Sequence, residues 1–502
     1  MHFKVLLISL LFLSINNLNA QFQANYDSHT YVVQWTNGAS ALQKATFQTE
    51  FRSQVLCEMT FGTREFAWVE YIGDYRNAAI NGFAIIDIDN LLQSININGG
   101  VIGPQPPPVI DGTSLDYLTD MIRNPASPNS SCISNYDLAM PFGMHPVSLF
   151  NLDTGVTMPL NDSNTNDFNF DGLVTCHGNA SNQNQACDDN NGHGTHGIGI
   201  QQYIINRNIN EFINPSTIKL YSYKVFDEEG EGNLGAILCS LSEVIRNPAV
   251  RKVVNCSFSY KGEISPNPFD PLKFAFIAMA TENIFSVIAA GNDSDVIDLH
   301  NLVYPTCYFS DLLMENLLMA SSTISIGAAS CDLSPAPYTN ASPTEVDISF
   351  LGTLAGPDLG TGIDYYEGTS QATFATSIFA ATLLSHQTVA DLDQIKCSLI
   401  SSADIDPDFY QSNTSGGVIR ASVALEKLQN GCTLSENCPP IRFVTGLIQE
   451  VGYESSGIII SNAKASNNNF SFKAEKSIIL NQGFEVSPTV QFSAIIDNCR
   501  LD

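Results

Sequence analysis

Three short segments of this chain set a carboxylate, an imidazole and a hydroxyl where turns of the backbone would present them. Asp153-Thr154-Gly155 follows the apolar run VSLFNL, so the carboxylate is expected at the carboxyl end of a strand, with a glycine letting the chain turn away. Gly192-His193-Gly194-Thr195-His196 leads into further small residues. Gly368-Thr369-Ser370-Gln371-Ala372-Thr373 opens a stretch of small and apolar residues that continues to Leu384. An alcohol is a poor nucleophile at neutral pH, and an imidazole steadied by a carboxylate is the base that can activate it. Asp153, His193 and Ser370 together would therefore suit acyl transfer.

Each segment taken alone has a second reading. A carboxylate pair sharing one proton needs two Asp-Thr-Gly segments, and the chain has one. His193 and His196 lie three apart and could face a metal, but no His-Glu-x-x-His helix completes such a site. Gly-Thr-Ser recurs at Gly112-Thr113-Ser114, where Leu115-Asp116 follows instead of small helical residues, so the tripeptide by itself says little. Specificity lies in the constellation.

The elements that must position these groups alternate in type. Between about Pro146 and Leu428, strand-like VSLFNL, KLYSYKVF, KVVNCSFS and IFSVIAA are separated by helix-like stretches from His193, from Asn233 and near Phe274. The predicted fold class is α/β, a mostly parallel sheet with helices on both faces and sites beyond the carboxyl ends of its strands. Before it, a strand at Thr30–Trp35, a helical pattern over 39–56, strands at 66–72 and 82–88 and a short helix near Leu91 predict a small α+β unit. The run Gly103-Pro104-Gln105-Pro106-Pro107-Pro108 reads as a stiff linker. Past Cys432, short strands between Asn, Ser and Gly turns predict a small all-β module, with Cys438 and Cys499 as a candidate staple.

The constellation resembles the subtilisin-like serine proteases, the subtilases, in which the catalytic residues occur in the order Asp, His, Ser. KLYSYKVFDEEGEGNLGAI, KVVNCSFS, VIAAGND, VYPT, TISIGAAS, YTNAS and VDISFLG fall in sequence where family counterparts are expected. The resemblance implies an endopeptidase with Asp153, His193 and Ser370 as its triad and Asn292 in the oxyanion hole. It places Ser257, Phe258 and Ser259 along one wall of the substrate cleft and Ala289, Ala290 and Gly291 along the other. Peptide or protein substrates are the implied partners, with no cofactor for catalysis. This chain departs from the family pattern in two places: Gln371 and Phe374 stand where Met and Pro are usual, and Gly197-Ile198-Gly199 where Val-Ala-Gly is usual.

The resemblance also implies a domain order of signal peptide (1–20), inhibitory pro-domain (21–105), linker and processing region (106–135), peptidase domain (136–431) and C-terminal all-β module (432–502). The pro-domain would block the cleft and leave after self-cleavage between about Gly99 and Asp137, taking Cys57 with it if that cysteine is unpaired. The terminal module is similar to a short β-repeat found at the ends of secreted Bacteroidetes proteins. Asp167-Phe168-Asn169-Phe170-Asp171-Gly172 repeats the first six positions of an EF-hand calcium loop, so Asp167, Asn169 and Asp171 are candidate ligands for structural calcium; Gly178 stands at the twelfth position in place of Glu.

Bulk properties narrow the setting. With 51 Asp and Glu against 22 Lys and Arg in 502 residues, the formal charge of −29 argues against nucleic acid and anionic membranes as partners. The apolar run from Val5 to Ile15 before Ala20 reads as a secretory signal, too short for the roughly 20 residues that span a bilayer. No other segment reads as a membrane span. The 12 scattered cysteines fit disulfides in an oxidising compartment, Cys176 with Cys187 being the first candidate pair, and so a secreted protein. The competing class is a catalytically inactive binding or adhesion protein that keeps the subtilase fold.

Overall fold

The computed structural model describes, with short interruptions, residues 30–71, 95–102, 137–157, 174–177 and 188–496. Contacts divide the chain into two compact units, one made of Met1–Pro108 with Gly232–Ser242 and Pro266–Ala275, the other of the remainder.

In the first unit, β1 (Thr30–Trp35), β2 (Ser53–Phe61), β3 (Arg64–Tyr71), β4 (Ile95–Ile97) and β5 (Gly100–Ile102) form an antiparallel sheet in the order β2-β3-β1-β5-β4, with helix α1 (Ala41–Glu50) after β1. The helix predicted over 39–56 ends at Glu50, and the residues after it belong to β2. From Cys57, after a bulge that follows Val55, the pattern is alternation, Cys57, Met59 and Phe61 being separated by single residues, and this period of two fits a pleated strand. Met59 and Phe61 are buried accordingly. Cys57 is disulfide-bonded to Cys239, so it is not the unpaired thiol that would depart with its segment. The strand predicted at 82–88 and the helix near Leu91 lie outside the described residues, as do the proline linker, the Cys438–Cys499 pair and the three candidate calcium ligands.

The second unit holds the expected α/β architecture. Along the chain come β6 (Val147–Asp153), β7 (Val174–His177), α2 (His193–Asn208), β8 (Ile218–Lys224), α3 (Leu234–Arg246), β9 (Lys252–Cys256), β10 (Tyr260–Gly262), α4 (Pro271–Thr281), β11 (Ile284–Ala289) and β12 (Leu302–Tyr304), the parts of α3 up to Ser242 and of α4 up to Ala275 belonging to the first unit. Then follow α5 (Leu317–Ser322), β13 (Thr323–Ala329), β14 (Ile348–Leu351), α6 (Thr369–His386), α7 (Leu392–Ile400), β15 (Asp404–Ile405), β16 (Gly417–Val418) and α8 (Ala421–Gln429). Nine strands make one sheet among the described residues, in the order β15-β16-β14-β13-β11-β9-β6-β8-β7, parallel except for the β15–β16 pair. All seven residues of β6 are buried, as expected of a central parallel strand covered on both faces. Helices α2 and α6 pack on each other, and α6 also packs on β6, β9, β11 and β13. The segments that matter most thus emerge side by side, because β11, β9 and β6 are neighbours and Ala289, Ser257 and Asp153 lie at or just past their carboxyl ends.

The C-terminal strands pair in parallel. Residues 441–444, 458–461 and 477–480 form one sheet, and 452–455, 470–474 and 492–496 a second, around a core containing Ile459, Phe470 and Phe472. Among the described residues no helix is long and apolar enough to cross a membrane.

Candidate active site

Asp153 ends β6 and His193 begins α2, and their side chains meet: Asp153 Oδ1 lies 2.7 Å from His193 Nδ1, with both residues almost fully buried. The backbone N–H of Thr154 donates to the same carboxylate oxygen at 2.8 Å, and the Thr154 hydroxyl approaches it at 3.3 Å. Thr154 Oγ1 in turn accepts from the N–H of Gly194 at 2.9 Å, tying the Asp153 turn to the start of α2. A carboxylate held by several donors keeps its position, and it fixes the tautomer and plane of the imidazole beside it.

The start of α2 has a second anchor. Asp189 accepts from the N–H groups of Asn191, Gly192 and Thr195 at 3.1, 2.7 and 2.7 Å. It satisfies donors at the helix start that have no intrahelical acceptor, and its charge suits the positive end of the helix dipole. Burial works against a charged His193. The adjacent Asp153 charge and hydrogen bond outweigh it, aided by the charge of Asp189, so the His193 pKa is raised above the ordinary 6.5. His196, one turn on, is pushed the other way, to about 3, by burial and then by the neighbouring His193 charge. It stays neutral. No cluster of three or more His, Cys, Asp or Glu able to hold a metal occurs among the described residues.

Ser370 is the second residue of α6, and its hydroxyl donates to the backbone oxygen of Ser257 at 3.2 Å. Asn292 stands beside it. The Asn292 Oδ1 accepts from the N–H of Thr369 at 2.8 Å and from the Thr369 hydroxyl at 2.9 Å. A backbone N–H can only donate, so the atom facing it is the amide oxygen and the NH2 group is the end left to meet a ligand. The Thr369 hydroxyl also receives the N–H of Gly291 at 3.2 Å, bracing the loop to the helix. Removing that hydroxyl with Thr369→Val is expected to lower kcat about 10-fold with KM little changed, the equivalent of one hydrogen bond of about 1.4 kcal/mol. Thr369→Ser should keep the parent rate, and steady-state kinetics on both variants decides it.

The two expected walls of the cleft differ in what they can offer. Phe258 turns its ring inward, edge-on to Phe226 at 5.7 Å, and is buried, so that wall presents backbone more than side chain. Residues 257–259 lie between β9 and β10 and belong to neither strand. On the other wall Ala289 and Ala290 are buried at the end of β11. Asn340 holds the loop that follows: its Oδ1 accepts from the N–H groups of Asp293 and Asp295, and its Nδ2 donates to the oxygen of Ala290.

A family model described as the subtilase family matches residues 147–430. That is more than half of the chain. The protein belongs to the subtilase family. Among solved structures, a cold-adapted subtilisin-like serine proteinase is 21% identical, with a TM-score of 0.42, over 57% of this chain and 90% of that one. A lanthipeptide protease is 20% identical, with a TM-score of 0.43, over 57% of this chain and 88% of that one. No curated protein sequence matches the chain.

Set in this subtilase, the two departures from the family pattern turn out to be one feature. A Cβ built on Gly197 would sit 2.1 Å from Phe374 ring carbons, so the ring occupies the space that a side chain at 197 would need. The same ring lies 6.0 Å from that of His193 and is fully buried. Sequence reasoning passed over Asp189, Thr154, Thr369 and Asn340. Asp189 carried a readable signal, an acidic residue a few positions before a helix start. Thr369 and Asn340 act through partners that are distant along the chain, and Thr154 through distant Gly194 as well as its neighbour Asp153.

Proposed function

We propose that this subtilase is a secreted serine endopeptidase, made as a pro-enzyme that processes itself, with Asp153, His193 and Ser370 as its triad and Asn292 in its oxyanion hole. The observation that carries the reading is the buried 2.7 Å contact between Asp153 and His193. In the proposed reaction, the Ser370 hydroxyl leaves its resting bond to Ser257 and gives its proton to His193 Nε2 as Oγ attacks the scissile carbonyl. The carbonyl oxygen gains negative charge, received by the Asn292 amide and by the backbone N–H of Ser370 at the positive end of α6. His193 then returns the proton to the leaving amine, and water repeats the sequence on the acyl-enzyme. A substrate would lie extended between the two walls, held mainly by backbone hydrogen bonds, which favours broad specificity.

The test is intact-mass measurement of the full-length chain treated with a fluorophosphonate. One adduct, carried on Ser370 and abolished in Ser370→Ala, is expected; an unlabelled, folded wild type would return the protein to the non-catalytic class. Asn292→Ala should fold and still take the probe slowly, with turnover lowered on the order of 100- to 1,000-fold.

The pH profile follows from His193. The base must be neutral to accept the proton, so kcat/KM should fall as pH drops through the raised pKa of His193, with the midpoint of that acid limb above 6.5. His196, neutral down to about 3, adds nothing to that limb. Stability moves the opposite way for His193. Its protonated form gains Asp153, so this contribution is complete below pH 6.5 and is lost as pH rises through the folded-state value. An acid limb centred at or below 6.5 would contradict the assigned Asp153–His193 coupling.

A further inference from the structure

The disulfide between Cys57 and Cys239 joins two parts of the chain that self-processing would separate. Cys239 lies in α3, inside the residues matched by the subtilase model, whereas Cys57 lies in β2, far before their start. We infer that the N-terminal segment stays covalently attached after the connecting chain is cut, so that the processed molecule has two chains and the segment is a resident partner of the enzyme. Only the identity of the cutting enzyme rests on the self-processing reading.

The argument is one of connectivity. Hydrolysis adds one water across one amide and leaves a carboxylate and an ammonium, without making or breaking any S–S bond. Any single cut between Glu58 and Leu238 therefore leaves both products joined through Cys57 and Cys239.

The surroundings of the bond form a built contact. Trp68, on the strand beside β2, is buried against Gly235, where a Cβ would lie only 2.3 Å from the indole. Gly235 is one turn before Cys239 on the same helix, so glycine there lets indole and helix approach closely at the bonded face. On α4, Phe274 receives the Arg64 guanidinium over its ring at 3.9 Å and the Phe66 ring at 6.1 Å. Sheet residues Arg64, Phe66 and Trp68 alternate along β3, so one face of that strand makes all three contacts.

The consequence is kinetic. A severed but tethered segment meets its own binding surface at an effective concentration on the order of millimolar, and dilution does not lower it. Removing the segment takes a second event. Reduction is one route: two electrons and two protons from a dithiol convert the cystine to Cys57 and Cys239 thiols, while the dithiol closes to its own disulfide.

The experiment uses the full-length chain carrying Ser370→Ala, with a recognition sequence for an unrelated site-specific protease inserted between Pro108 and Val109. Free thiols are alkylated, the linker is cut, and the products are run in denaturing gels with and without dithiothreitol. One species without reductant and two with it are expected, and Cys57→Ala should give two in both lanes. Two species from the native cysteines without reductant would overturn the proposal. Mass spectrometry of an unreduced digest of the uncut wild-type chain gives a second readout that no variant can confound. A peptide pair joined through Cys57 and Cys239 is expected, and alkylated Cys57, or Cys57 joined elsewhere, would also overturn it. Neither readout uses the chain's own catalysis, so failure of Ser370 to take a fluorophosphonate would count against the protease reading alone.

Discussion

Ser370→Ala is expected to fold normally and to lose peptide hydrolysis by about 10^6-fold in kcat, the scale known for the same change in subtilisin, a member of this family. The side chain is small and sits at the first turn of α6, so its loss removes one hydrogen bond, to Ser257, and leaves little cavity. On the proposed reading the rate falls because the attacking hydroxyl is gone. His193→Ala should cost nearly as much, and the double variant scarcely more than either single one, since on the proposed reading nucleophile and base serve the same step. What remains above the uncatalysed rate would come from the oxyanion donors and substrate positioning. Single-turnover kinetics on the three variants tests this, and independent, multiplying losses would mean that Ser370 and His193 do not act together.

The second large effect is on stability. Gly197→Val drives a branched side chain into the buried ring of Phe374, whose carbons lie 2.1 Å from where the new Cβ must go. Overpacking of a dense core costs typically 1–3 kcal/mol, and here the ring has no free side to move toward, so about 3 kcal/mol is expected. Phe374→Ala alone should cost a similar amount through the cavity it leaves, roughly 3–5 kcal/mol. The double variant should be less damaged than the sum by about 2 kcal/mol, because each change removes the other's problem. Denaturant melts of the four proteins provide the cycle. Additive losses would show that Gly197 and Phe374 are separate departures from the family pattern, not a matched pair. Because the Phe374 ring also lies beside that of His193, kcat should track the cycle.

Much of this molecule was written locally. Alternation of mainly apolar strands with helical stretches gave the parallel sheet, because both faces of such strands are covered and their residues are buried throughout, as in β6. The order and flanking glycines of Asp153, His193 and Ser370 marked strand ends and helix starts, since those positions need small residues at the turn. The amino-terminal unit was harder to read. Leu56 continued a helical spacing that the chain abandons after Glu50, and only pairing of β2 with β3 selects the alternation that begins at Cys57. Local pattern is ambiguous over so few residues, and the partner strand decides.

By itself, then, the sequence determined the family and the sheet and offered Asp153, His193 and Ser370 as the candidates for acyl transfer, because these readings depend on residue types and their order along the chain. Tertiary structure alone decided what joins elements: the carboxylate oxygen that meets His193, the Thr369 contacts that orient the Asn292 amide, the Phe374 ring in the space at Gly197, and the partner of Cys57. These are pairwise distances between residues tens to nearly two hundred positions apart. Neither partner's local sequence encodes where the other will be, and only the packed fold brings them within bonding range.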